Sequence, residues 1–251
     1  MTHHLLERID RTEVLLSAVC LLGCPASLEL AAAAGYDIVL VDGQHGEFDR
    51  SNMGDAIRAL DSSGCVAMAR PAGHEGHVIE WLLDIGYTAL LIPMVNTPEQ
   101  ARAVVQAAYY PPIGQRSQAF SRASLRSGGT YRETANDEVM LVVMIETVEG
   151  LDNVEEISAV EGISMVFVGA ADLASSMGGL PNQPKPSGFE EAVQKVFDVA
   201  RSAGKPAGIA CSNPEEARMR IQQGFQMLTL SSELRLLGEA HEHQVISVRG
   251  S

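Results

Sequence analysis

The sequence predicts an α/β protein closed into a (β/α)8 barrel, and three observations carry that prediction. Four junctions, "GYDIVLV" (35–41), "GYTALLI" (86–92), "GISMVFV" (162–168) and "GFQMLTL" (224–230), repeat one unit in which Gly ends a helix and a short apolar run follows. The runs are apolar almost throughout instead of alternating, as a parallel sheet covered on both faces requires. The 251 residues hold eight strand-and-helix units, read as a single domain over 1–251, a usual length for a barrel.

The strands follow in order. "EVLLSAV" (13–19) is the first, and the Gly35 junction supplies the second. "CVAMA" (65–69) is the third and the Gly86 junction the fourth. "VMLVVMI" (139–145) is the fifth, the Gly162 junction the sixth, "PAGIA" (206–210) the seventh and the Gly224 junction the eighth. Helical patterning lies between them, as in "VIEWLLDIG" and "EEARMRIQQG". "NTPEQARAVVQAA" and "SNPEEARMRI" each offer Thr or Asn as N-cap and Pro in the first turn, with Gln100 or Glu216 placed to close a capping box. The longest irregular stretch, 110–137, follows the fourth helix and reads as a lid or a surface excursion. An open Rossmann-like sheet is the rival, but no GxGxxG follows any strand.

Composition narrows the function classes. A formal net charge of −14 repels phosphate backbones and anionic membranes, so neither nucleic acid nor a membrane is an expected partner. The N-terminal residues lack a signal pattern and no run is long enough to span a bilayer, which makes the cytoplasm the expectation. Cys20, Cys24, Cys65 and Cys211 show no CxxC spacing and read as reduced, packed thiols.

In a parallel barrel, chemistry gathers where the carboxyl ends of the strands open into loops. The second strand ends in "VDGQHGEFD", bringing Asp42, Gln44 and His45 to that rim, and the third ends in Arg70. The fifth ends in Glu146, and the sixth runs into "GAAD" with Asp172. Neighbouring strands lie about 4.8 Å apart, so Glu146 and Asp172 can meet on one ion, and two carboxylates suit an oxygen-ligated Mg²⁺ or Mn²⁺. The plainer alternative is that Glu146 caps a helix or pairs with an arginine. The three lysines, Lys185 in a Pro-rich loop, Lys195 on a helix and Lys205 ahead of a strand, are poorly placed for a Schiff base. The loops after the seventh and eighth strands, "CSNPEE" and "SSELRLL", lack glycine and carry acids, which disfavours a phosphorylated substrate.

These residues resemble the metal-dependent (class II) pyruvate aldolases of the HpcH/HpaI family, a group that includes 2,4-dihydroxyhept-2-ene-1,7-dioate aldolase and 2-dehydro-3-deoxyglucarate aldolase. "DIVLVDGQHGEFD", "ARP" (69–71), "LLDIGYTALLIPMVNTPEQARAVVQAAYYPPIGQR" and "MIETVEGLDNVEEISAVEGISMVFVGAADLA" carry the resemblance in order along nearly the whole chain. It implies reversible cleavage of a 4-hydroxy-2-oxo acid to pyruvate and an aldehyde, through an enolate stabilised by a divalent cation (Mg²⁺, Mn²⁺ or Co²⁺). Glu146 and Asp172 stand at the metal-ligand positions. Arg70 stands where the pyruvate carbonyl is contacted, and Asp42 and His45 match an acid–histidine pair for proton transfer, with Asp42 orienting the ring. The main-chain amides of Gly169, Ala170 and Ala171 match the carboxylate-binding loop, and Gln44 lies beside the metal. The resemblance further implies a homohexamer, a trimer of dimers with the C-terminal helix exchanged between partners.

Three positions depart from the family pattern. Gln44 replaces a Glu, Ala170 a common Pro, and Ser117 a Gly after Arg116. An outlying branch of the family condenses oxaloacetate with acetyl-CoA in siderophore biosynthesis, and that citrate-synthase-like reaction is the alternative activity. A non-catalytic ligand-binding barrel is a third reading, opposed by the presence of every candidate residue. Arg122 and Arg126 read equally as contacts for a second substrate carboxylate or as surface ion pairs. His74 and His77 belong to a rim helix start, and Trp81 to the core or a subunit interface. His3, His4, His241 and His243 belong to solvated tails.

Overall fold

A computed structural model of the chain describes residues 5, 7–9, 11–181 and 183–250. His3 and His4 lie outside the described residues. Eight parallel strands close in sequence order: β1 (Leu15–Cys20), β2 (Ile38–Asp42), β3 (Val66–Arg70), β4 (Ala89–Ile92), β5 (Met140–Ile145), β6 (Met165–Val168), β7 (Ala207–Ala210) and β8 (Met227–Ser232), with β8 returning to β1. The predicted barrel is the observed one.

Helices α1 (Pro25–Ala33), α2 (Met53–Leu60), α3 (Gly76–Asp84) and α4 (Pro98–Ala108) follow the first four strands. The irregular stretch after α4 contains two short helices, α5 (Arg122–Arg126) and α6 (Tyr131–Glu138), that the absence of apolar periodicity concealed. Two more, α7 (Val148–Asp152) and α8 (Val154–Ser158), follow β5. After β6 come α9 (Ala170–Ser176) and α10 (Phe189–Ser202), and α11 (Pro214–Gln223) and α12 (Glu233–Arg249) complete the chain.

The glycines at the four repeated junctions, Gly35, Gly86, Gly162 and Gly224, all have φ between 93° and 108°. That left-handed backbone ends each helix at little cost only without a Cβ. Thr97 and Gln100 form the predicted capping box at α4, and Asn213 caps α11 by accepting from the Glu216 amide at 2.8 Å.

The continuous hydrophobicity of the strands has a direct cause. Ile38 and Leu40 point into the barrel with Met68, Leu91, Val142 and Phe167, while Val39 and Val41 face the helical layer. Both faces are dry, so neither set can be polar, and each Leu, Ile or Met so buried stabilises the fold by about 1.5–3 kcal/mol. Phe167 occupies space that only Gly208 leaves open, since a Cβ there would lie 2.5 Å from the Phe167 ring. Cys20, Cys65 and Cys211 are buried free thiols and Cys24 is exposed.

One element stays outside this core. None of the residues of α12 is buried, and Leu234, Leu236, Leu237, Val245, Ile246 and Val248 are all exposed. No helix among the described residues is long and apolar enough to cross a membrane.

Candidate active site at the carboxyl rim

Strand register builds the β2–β3 side of the rim. Asp42 is the Cα partner of Arg70 in the last rung between these strands, so the two side chains emerge side by side. Asp42 is fully buried, and it accepts from Arg70 Nε at 2.8 Å and from Arg70 Nη2 through its other oxygen. Its Oδ1 also takes the Gln44 amide at 3.0 Å and, more weakly, the His45 amide at 3.4 Å. A bidentate pairing of this kind fixes the plane of the guanidinium.

The acid–histidine pair expected from the resemblance is therefore not what forms. Asp42 pairs with Arg70 and pins the main chain of the His45 loop, and among the described residues it makes no bond to the His45 ring. His45 is exposed on that loop. Gln44 keeps a buried Oε1 without a partner among the described residues.

The β5–β6 side is built by the next rung of the barrel. Ile145 pairs with Val168, so Glu146 and Gly169 come next to each other, and the Gly169 amide donates to the Ile145 carbonyl at 3.2 Å. A Cβ at Gly169 would sit 2.6 Å from Glu146 Oε2, so glycine is what admits the carboxylate. The Gly169 amide, expected to hold a substrate carboxylate, is already used by β5. Ala170 and Ala171 open α9, where first-turn amides have no intrahelical acceptor. Asp172 follows them, exposed on the same turn.

Glu146 is 1% exposed. Its Oε1 accepts from the Met94 amide at 2.6 Å, while its Oε2 is buried without a hydrogen-bond partner among the described residues. Burial pushes its pKa up to about 6; the Met94 hydrogen bond and Arg70 oppose the rise, and the nearby charge of Asp172 adds to it. Met94 delivers that amide from a left-handed backbone, φ 55°, a conformation costing a non-glycine residue about 1–2 kcal/mol. Such strain persists where surrounding contacts enforce it. Here Asn96 does so: it accepts from Thr147 Oγ1 at 2.5 Å, and its carbonyl accepts from Asn153 Nδ2 at 2.8 Å.

A buried carboxylate with one open oxygen and a second acid nearby is relieved either by a proton or by a cation. Among the described residues no three His, Cys, Asp or Glu side chains converge. Glu146 and Asp172 are the two acids that the β5–β6 side brings near each other, too few for an all-protein metal cage.

A cavity of about 320 Å³ opens at this rim, with Arg70, Met144, Phe167, Ala170 and Ala171 among its lining residues; Glu146 and Asp172 are not among them. The other sequence candidates lie elsewhere. Arg122 and Arg126 both pair with Asp61, at the amino end of β3, so their role is the ion pair and not the substrate contact. Arg116 is buried against Tyr110 and Tyr131 and held by Asp84 at 2.7 Å. Lys195 and Lys205 donate to carbonyls of Leu151 and of Val160 and Ile163, away from the rim. His77 is exposed and His74 half-buried after β3, Trp81 carries Arg50 on its ring at 4.7 Å, and His241 and His243 are exposed on α12. Three rim features escaped the sequence: Met94, Lys185 and Arg235. Met94 lies in one of the motifs that carry the resemblance and the other two in loops read from the sequence, but nothing local assigns any of them to the site.

Comparison with known proteins decides the family. The model of the HpcH/HpaI aldolase/citrate lyase family matches residues 21–240. The chain belongs to that family. A hydroxypyruvate/pyruvate aldolase of Cupriavidus necator is 39% identical over 230 residues, covering 90% of this chain and 84% of the relative. A 5-keto-4-deoxy-D-glucarate aldolase of Shigella boydii is 34% identical over 218 residues, 86% of this chain and 84% of the relative. Among solved structures, an HpcH/HpaI family protein from Burkholderia cenocepacia superposes with TM-score 0.92 at 30% identity, over 99% of this chain and 100% of the other. A crystallised citrate synthase superposes with TM-score 0.84 at 28% identity, over 97% and 95%. Likeness to named aldolases over most of the chain makes this HpcH/HpaI protein an aldolase, a carbon–carbon lyase. The citrate-synthase-like condensation has less support, because the named aldolases share more of the sequence.

Proposed function

We propose that this aldolase reversibly cleaves 4-hydroxy-2-oxo acids to pyruvate and an aldehyde, with a divalent cation held by Glu146 and Asp172. The carrying observation is the buried, unpartnered Oε2 of Glu146 beside the charge of Asp172. When bound, the cation supplies Lewis-acid polarisation of the 2-oxo group. Arg70, held flat by Asp42, presents a fixed positive charge where the enolate oxygen develops, and needs no reorganisation as the bond breaks. The amides of Ala170 and Ala171 receive the pyruvate carboxylate, and Gln44, whose Oε1 has no partner among the described residues, is a further substrate contact. His45, exposed on its loop and without a side-chain partner among the described residues, moves the proton of the C4 hydroxyl, directly or through water. Asp42 acts on Arg70 and on the loop backbone, which is a positioning role.

The test is to strip the protein with a chelator, restore Mg²⁺, Mn²⁺ or Co²⁺ singly, and follow pyruvate release from a panel of 4-hydroxy-2-oxo acids. Activity that vanishes with the metal and returns with one of the ions is expected. Turnover indifferent to chelation rejects the reading.

The same reading includes a homo-oligomer, a hexamer of paired barrels, acting on small molecules in the cytoplasm. Helix α12 supports it: beyond a first turn held by Glu233, this 17-residue helix has six exposed aliphatic side chains and buries none of its residues against the described chain. Light scattering of the full chain should give a hexamer, and removal of residues 236–251 should shift it to smaller species. A full-length monomer would exclude helix exchange.

A further inference from the structure

The His45 ring has no side-chain partner among the described residues, so its place is set by where its main chain is held. The entry of the 43–47 loop is gripped from β2 and β3. The Gly43 amide donates to the Arg70 carbonyl at 2.8 Å, and Asp42 takes the amides of Gln44 and His45. The exit is gripped from elsewhere. The Glu47 amide donates to the Leu21 carbonyl at 2.7 Å, just beyond β1, and Asn52 Nδ2 donates to the Glu47 carbonyl at 2.9 Å. The two loops also interlock. A Cβ at Gly46 would lie 2.9 Å from the Leu21 carbonyl oxygen, and one at Gly23 would lie 2.9 Å from the Glu47 carbonyl oxygen. Backbones packed this closely leave little slack, so a shift of Leu21 is passed to the His45 loop.

Leu21 is held in turn by a carboxylate from the far end of the chain. Glu233, the first residue of α12, reaches across 212 positions so that its Oε1 accepts the Leu21 amide at 2.9 Å, and the same oxygen accepts the Leu22 amide at 2.7 Å. Two successive amides aimed at one ionised oxygen make a pair of charge-assisted bonds. The other oxygen, Oε2, is buried without a hydrogen-bond partner among the described residues. It lies near the end of β1, where burial and then the charge of Glu233 push the Cys20 thiol up. Ser231 and Ser232, immediately before Glu233, line the rim cavity, whereas Glu233 does not. This acid therefore stands beside the site without touching what the site holds.

We infer that Glu233 is a positioning residue for proton transfer: it fixes the peptides of Leu21 and Leu22, and through the Leu21 carbonyl it fixes the exit of the loop that carries His45. This rests on the proposed role of His45 in moving the C4 hydroxyl proton. Asp42 sets one end of that loop and Glu233 the other, so the ring is aimed by two acids that it does not itself touch. A proton donor or acceptor must lie within hydrogen-bond reach of its partner, and a small displacement of the loop lowers the rate of transfer without weakening the hold on substrate. Asn52 shares the hold at Glu47, which keeps the expected effect moderate.

Steady-state pyruvate release by the full chain tests it, with Glu233→Ala and Glu233→Gln each made alone and together with His45→Ala. Glu233→Ala should lower kcat about tenfold while KM moves by less than about twofold, because the inner contacts with substrate are untouched. Glu233→Gln keeps an oxygen that accepts both amides and should retain most of the wild-type kcat. Added to His45→Ala, Glu233→Ala should change the residual kcat by less than about twofold, since the group it positions is gone. An unchanged kcat, a loss confined to KM, an equal fall in the His45→Ala background, or a Gln variant as slow as the Ala one overturns the inference. Should Glu233→Ala fail to fold, Glu233→Asp, one methylene short of the amides, takes its place in every comparison. A wild type that releases no pyruvate from any 4-hydroxy-2-oxo acid fails the lyase reading instead, and the hold on the loop is then read from hydrogen–deuterium exchange. The amides of Leu21, Leu22 and Glu47 should exchange about tenfold faster in Glu233→Ala than in the wild type, with the Met94 amide unchanged. Equal exchange in the two proteins overturns it.

Discussion

The two sides of the rim each bury one carboxylate at the end of a strand, and they treat it in opposite ways. On the β2–β3 side Asp42 is saturated, its oxygens taken by the Arg70 fork and two backbone amides. On the β5–β6 side Glu146 has one oxygen on the Met94 amide and the other on nothing. A fully paired buried charge makes a rigid part, whereas a half-paired one makes a receptor for something absent from the chain. The first arrangement aims an arginine; the second keeps one buried oxygen open, the feature on which the proposed cation site rests. The difference separates a positioning acid from a ligand more sharply than residue type does.

The largest expected effect breaks the receptor side. Glu146→Gln keeps the Met94 hydrogen bond but removes the charge, so kcat for pyruvate release should fall on the order of 10³-fold, about 4 kcal/mol in barrier. The folded stability of the metal-free protein should be held or improved, as read by chemical denaturation. A variant that retains wild-type turnover would remove Glu146 from the site.

Next comes the saturated side. Arg70→Met leaves Asp42 buried without its counter-charge and should cost about 3 kcal/mol of unfolding free energy in addition to activity. Pairing it with Asp42→Leu should recover much of that stability and none of the turnover. If the single substitution is no less stable than the wild type, Asp42 is not held as described.

The smallest effect concerns pH. Burial raises Glu146 from 4.5 to about 6, so the folded protein holds this proton more tightly than the unfolded chain does. Its contribution to stability is full below about pH 4.5 and is lost as pH climbs through 6, a difference of about 2 kcal/mol. Urea denaturation of chelated wild type and Glu146→Gln at a series of pH values should therefore show the gap between them changing across that window. Saturating Mg²⁺ should reverse the wild-type trend, because the cation binds the deprotonated form. A gap constant with pH would mean the carboxyl is not desolvated.

How much of this was legible in the sequence depends on the range of the signal. Glycine stops, capping boxes and apolar runs are local, and they placed eight strands and carried Asp42, Arg70, Glu146 and Asp172 to one rim. Pairings were not legible. Asp42 meets Arg70 across 28 residues and Glu146 meets the Met94 amide across 52, and no local pattern encodes either. Arg122 and Arg126 read equally as substrate contacts or as ion pairs until the barrel put both against Asp61 at its base.

The sequence by itself determined the barrel, because alternating helical and strand hydrophobicity is written residue by residue and admits few ways of burying both strand faces. Only the tertiary structure decided which buried acid is satisfied and which is left open. That outcome depends on strand register, on one strained amide at Met94 and on the space left by Gly169, each fixed by packing between segments far apart in the chain.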